Sequence, residues 1–159
     1  MKMRMRNAFL FLFVCILGSC SKESLDIANI VEAKNAPEVE NELLNTVNSH
    51  RVALGYSSLN FSAVAYEYAN KHTDYMISKG GLSHDNFSSR AANIALEVEA
   101  ELVAENVAKD HPTAAEAFNG WLNSSDHKKT MEGDFTHTAV SVKKSASGNY
   151  YYTQLFFKK

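Results

Sequence analysis

The segment Tyr150-Tyr151-Tyr152-Thr153-Gln154-Leu155-Phe156-Phe157 constrains the fold of this chain more than any other. As a strand it puts Tyr150, Tyr152, Gln154 and Phe156 on one side and Tyr151, Thr153, Leu155 and Phe157 on the other, because successive side chains alternate. Both sides are apolar enough to need cover, so the strand belongs in a sheet with helices on both faces. Thr138 to Lys143, rich in Val and Thr, is its hairpin partner, and Ser145-Ala146-Ser147-Gly148-Asn149 supplies the turn. A shorter strand at Leu102 to Ala108 completes a small, mainly antiparallel sheet.

The covering elements are legible as helices. From about Glu38 the residues Val39, Leu43, Val47, His50 and Leu54 recur at helical spacing, and Gly55 stands just past the end. A second helix starts after Ser62 as N-cap and runs to about Lys79, with Ala65, Tyr68, Ala69, His72 and Met76 on one face and Gly80-Gly81 closing it. His72 on that apolar face reads as a core histidine. A short helix is expected over Ser89 to Leu96. Another follows Thr113 as N-cap and buries Ala117, Phe118 and Trp121, and a turn covers Asp126 to Met131. No repeat with a period of about 20 to 50 residues is present. The pattern is that of one α+β domain.

The N-terminus is a targeting segment. Lys2, Arg4 and Arg6 precede an apolar run from Ala8 to Leu17, which is shorter than the about 20 residues that cross a bilayer. It ends in Leu17-Gly18-Ser19-Cys20, and small residues running into a cysteine resemble the lipobox of bacterial lipoproteins. That resemblance implies that Cys20 is lipidated and becomes the first mature residue, anchoring an exported protein to the cell envelope, at its outer face or in the periplasm. Plain secretion after cleavage near Ser19 is the alternative. The expected organisation is a signal peptide over 1–19, a lipidated N-terminus and tether over 20–37, and the domain over 38–159.

Loss of the leader has two consequences. Cys15 leaves with it and Cys20 is acylated, so no cysteine pair is left for a disulfide and the domain holds by its core alone. The chain carries 16 Lys and Arg against 18 Asp and Glu; without Lys2, Arg4 and Arg6 the balance is 13 against 18, and no basic stripe offsets it. Nucleic acid is therefore not an expected partner.

His84, Glu105 and His127 are the candidate site residues. Two imidazoles and a carboxylate match a catalytic zinc set with one open position, and equally an acid/base set. They stand 21 and 22 residues apart, so only the tertiary fold can unite them.

Six fragments in order resemble the CAP superfamily, the cysteine-rich secretory, antigen 5 and pathogenesis-related proteins with an SCP-like extracellular domain, and its compact bacterial branch in particular. They are Asn48-x-x-Arg51-x-x-x-Gly55, Ala65-x-x-x-Ala69-x-x-His72-x-x-x-Met76, Ser83-His84 with Phe87 and Arg90, Glu105-Asn106-Val107-Ala108, Trp121-x-x-Ser124-x-x-His127, and Tyr152-Thr153-Gln154-Leu155-Phe156. The resemblance implies an α-β-α sandwich with a cleft where two histidines and two acidic residues meet. His84 and Glu105 match one of each. Ser124 and Tyr151 stand where other branches carry the second glutamate and histidine, and His127 matches a histidine common in bacterial members.

The family resemblance and the reduced set imply a cleft that binds a small, lipid-like ligand or a divalent metal such as zinc, held by His84, Glu105 and His127. Binding is favoured over catalysis because the acid/base set lacks its second carboxylate. The alternatives are a metal-dependent hydrolase on the same three residues, and an interaction module for an envelope component or host surface with a vestigial cleft. Asn106 is expected to bond backbone in the cleft wall, Arg51 to pair with a carboxylate, Trp121 to anchor the core, and His50, His111 and His137 to lie at the surface.

Overall fold

The computed structural model describes residues 32–159. The signal peptide, Cys20 and most of the expected tether lie outside that range. Among the described residues the elements run α1 (Pro37–Ala53), β1 (Asn60–Phe61), α2 (Ala63–Lys79), α3 (Phe87–Val98), β2 (Leu102–Lys109), α4 (Ala114–Leu122), α5 (Ser125–Met131), β3 (His137–Lys144) and β4 (Tyr150–Lys158). The helix ends follow local chemistry. Ser62 accepts the Ala65 N–H, Thr113 accepts the Glu116 N–H, Pro37 opens α1, and Gly80 at φ 70° takes the left-handed turn that closes α2.

The sheet order is β1-β3-β4-β2, antiparallel except for the short parallel pair of β1 and β3. The aromatic strand β4 sits inside it, and every residue from Tyr151 to Phe157 is buried. Its alternation divides the core as expected. Tyr152 and Phe156 pack with Leu43, Val47 and Trp121 beneath α1 and α4, while Leu155 and Phe157 pack with Ala65, Ala69 and Ile94 beneath α2 and α3. The fold is thus the expected α-β-α sandwich, with β2 as the edge strand that carries Glu105.

Polar groups bind the α2 layer to the sheet. Thr73 meets Thr153 at 2.9 Å, Ser141 donates to Asn70 at 2.9 Å, and Lys143, with no exposed surface, donates to Asp74 at 2.6 Å. The same network captures the chain before α1. Asn35 bridges Lys143 on β3 and donates to Glu40 and Asn70, and the Asp74 carboxylate accepts the Ala33 N–H at 2.8 Å. Residues 33–36, the end of the expected tether, are therefore docked against the domain.

The first family fragment has a structural explanation. Asn48 accepts the Leu59 N–H and donates to the Leu59 carbonyl, which steers the chain into β1. Arg51 is 2% exposed and donates to the carbonyls of Ser57, Met131, Gly133 and Phe135. The expectation that Arg51 pairs with a carboxylate is corrected: a planar fork of donors suits several converging carbonyls, and it pins two loops to the end of α1. Trp121 is a core anchor, with its indole N–H donating to the Val107 carbonyl at 3.0 Å.

Candidate functional site

Glu105 points from β2 toward α2, α3 and the loop between them, since Val103 and Val107 on the same side pack there. A carboxylate in mid-strand between apolar neighbours needs charged partners. Arg90 supplies them from the first turn of α3: its Nε donates to Glu105 Oε2 at 2.8 Å and its Nη2 lies 2.6 Å from the same oxygen. Nη1 donates to the Asp85 carbonyl, which holds the guanidinium in place. Nη2 is buried and makes no aligned hydrogen bond.

His84 takes the other oxygen. Its Nδ1 stands 2.8 Å from Glu105 Oε1, and its side chain is 53% exposed where that of Glu105 is 1% exposed. With Glu105 ionised against Arg90, the proton of the neutral ring lies on Nδ1 and Nε2 presents its lone pair to a ligand. Beneath them His72, also buried, lies 3.7 Å from Glu105 Oε1 and bonds the Ser83 carbonyl at 2.7 Å. His72 is a core histidine as read, and by gripping Ser83 it also fixes the backbone from which His84 projects.

His127 approaches from the other side of the sheet edge, on α5. Asn106, facing opposite to Glu105, donates to the His127 carbonyl at 3.0 Å and ties that helix to β2, as its expected role in the cleft wall requires. His127 is half-buried, and no hydrogen bond or ring contact joins it to His84 or Glu105 among the described residues. His137 lies elsewhere, stacked on Phe157 at 4.8 Å, two strands across from Glu105. His50 and His111 are half-buried and not superficial: His50 meets Glu132 at 2.9 Å, and His111 packs edge-on to Tyr152.

The three-ligand zinc set does not fit this arrangement. Both oxygens of Glu105 are engaged, and among the described residues no group of three His, Cys, Asp or Glu is disposed to hold a metal. Glu105 stands behind His84 as an orienting carboxylate, which is the usual station of an acidic group next to a ligating histidine. Sequence reasoning missed Arg90 as the partner of Glu105. The signal was present, because a buried carboxylate demands a cation and the arginine lies six residues after His84.

Burial depresses the proton affinity of His72, with Glu105 the strongest opposing influence and Arg90 reinforcing the effect. Burial likewise depresses His127, followed by the charge of His84. Both groups bind protons more readily in the unfolded chain, so stability is full above the ordinary histidine value of 6.5 and falls as pH drops from there toward the lowered folded values. Urea denaturation from pH 8 to pH 5 is expected to show this loss, and it should shrink in His72→Gln. A flat profile would mean that neither ring is held neutral.

Three layers with a histidine–carboxylate pair open at an edge strand agree with the SCP-like domain that the sequence resembles. The model of the CAP, or cysteine-rich secretory protein, family matches residues 44–156, and the chain belongs to that family. It is 31% identical over 124 residues to uncharacterized membrane protein YlbC of Bacillus subtilis, a match covering 76% of this chain and 34% of that protein. The chain thus spans about a third of the length of that curated relative. Among solved structures, an outer surface protein from Borrelia burgdorferi superposes with TM-score 0.71 at 18% identity, over 80% of this chain and 98% of that one. An extracellular protein containing an SCP domain from Bacillus anthracis gives TM-score 0.67 at 25% identity, over 77% of this chain and 41% of that one.

Proposed function

We propose that this is an exported, lipid-anchored CAP-domain protein whose cleft binds a small ligand through His84 and His127. The observation that carries the reading is the 2.8 Å contact between His84 Nδ1 and Glu105, which fixes a half-exposed imidazole with Nε2 as its free nitrogen. An acceptor fixed in this way suits a ligand hydroxyl or N–H, and a divalent cation is the alternative occupant, with His84 and His127 as its protein ligands and Glu105 behind. A hydrolase is disfavoured because the carboxylate is committed to Arg90 and Ser124 stands where other branches place a second one. Export is supported by the membrane and extracellular descriptions of the relatives and by the basic and apolar leader.

Two measurements test the cleft. Titration with zinc chloride reads the cation form: one bound ion per chain, lost in His84→Ala and weakened about 10- to 100-fold in Glu105→Gln, the usual cost of removing an orienting partner, would support the cation over the organic ligand. Mass spectrometry of small molecules that copurify with the protein reads the organic form, and the bound species should vanish in the His84→Ala, His127→Ala double variant. If zinc does not bind and nothing copurifies, the binding reading is overturned. For the anchor, Cys20→Ser is expected to move the protein from the membrane fraction to the soluble fraction; unchanged partition would refute lipidation at Cys20.

A further inference from the structure

A groove of about 180 Å³ runs between α2 and the start of α3, beyond the buried Glu105 and apart from the exposed edge of His84. Its two walls differ in chemistry. Tyr68 and Tyr75 stand two turns apart on α2 and form an aromatic wall, while Asn86 just before α3 and Ser89 and Asn93 one turn apart on it form an amide and hydroxyl wall. We propose that this groove is a second binding site, for a single uncharged, hydroxyl-rich ring such as a sugar residue.

Three observations converge on that class. The tyrosine rings are fixed: Tyr75 donates to Asp85 at 2.6 Å and stacks on His72, and Tyr68 donates to Glu97. Rigid aromatic faces with a polar tip bind amphipathic rings at low entropic cost. The charges around the groove are already paired within the protein, Lys71 with Glu67 at 2.6 Å, Lys79 with Asp85 at 3.8 Å and Arg90 with Glu105, so the groove does not select a charged ligand.

The third observation concerns the α3 wall. Asn86 is the N-cap residue of α3, yet it adopts a left-handed conformation at φ 57° and its side chain makes no capping bond. An asparagine at that position ordinarily bonds the helix's first amides; here its amide is left to the groove. The volume suits one ring, since pockets for drug-sized ligands begin at about 300 Å³. Lys71 and Lys79 lie over the tyrosine rings at 5.4 and 5.6 Å, and a ligand must displace these weak contacts, which points to millimolar binding of a monosaccharide.

The test is a two-dimensional NMR titration of the purified protein with N-acetylglucosamine, with its β-1,4-linked trimer, and with inorganic phosphate as the charged control. Saturable shifts are expected at the amides of Tyr75, Ser89 and Asn93 with both sugars. Tighter binding of the trimer assigns the site to a glycan chain, and equal binding assigns it to the free sugar. Asn93→Ala and Ser89→Ala, both at exposed positions, should each weaken binding about fivefold, the scale of one lost hydrogen bond. His84→Ala should leave binding intact, which separates this site from the cleft proposed above. Absence of saturable shifts, binding that survives the Ser89→Ala, Asn93→Ala double variant in a natively folded protein, or an equal response to phosphate would each overturn the proposal.

Discussion

Lys143→Ala is expected to cost about 3–5 kcal/mol, because it leaves Asp74 as a buried charge without its partner. Lys143 has no exposed surface and lies 2.6 Å from an Asp74 side chain that is itself 10% exposed. The pair also organises its surroundings: Asp74 accepts the Ala33 N–H, and the backbone at Lys143 is bridged by Asn35. Loss of the lysine should therefore loosen the docked residues 33–36 as well as the α2 layer, and a melting temperature lower by on the order of 10 °C is expected. The double variant Asp74→Asn, Lys143→Met keeps an acceptor for Ala33 and removes both charges, so it should recover most of the loss. Urea denaturation of the two variants decides the matter. A single variant within about 1 kcal/mol of the native protein would mean that the pair is no better than a surface ion pair.

The particular elements explain how much of this architecture could be read in advance. β4 was legible because its two apolar faces leave a covered sheet as the only solution, and α2 because Ser62 and Gly80 bracket a helical stripe on both sides. β1 was not: two residues, both exposed, carry no alternation, and their pairing with His137 and Thr138 is set by Asn48 gripping Leu59. The docked segment 33–36 was likewise hidden, since its attachment depends on Asp74 and Lys143, residues distant in sequence whose charges look like ordinary surface. The site divides in the same way. His84 and Glu105 were visible as family positions, and the structure brings them together. The use of Glu105 was not visible, because it is decided by Arg90, which the helical register of α3 turns inward to meet it.

That ion pair makes Glu105 the second position of large effect, and here stability and binding can be separated. Glu105→Ala removes the counter-charge of a guanidinium that is 9% exposed, so a loss of about 3–5 kcal/mol is expected by the same reasoning. It also frees the ring of His84. If Glu105 served only to neutralise Arg90, the double variant Glu105→Ala, Arg90→Leu would restore both stability and ligand binding. If Glu105 also orients His84, that double variant should regain most of its stability while zinc titration, or the yield of copurifying ligand, stays at least about tenfold below native, the lower bound for loss of an orienting partner. Thermal unfolding gives the first quantity and calorimetry the second. Recovery of both would reduce Glu105 to a structural residue and leave His84 to act unaided. Recovery of stability alone would show that one carboxylate holds the layer together with one oxygen and aims the site with the other, a division of labour consistent with a cleft that has a single carboxylate.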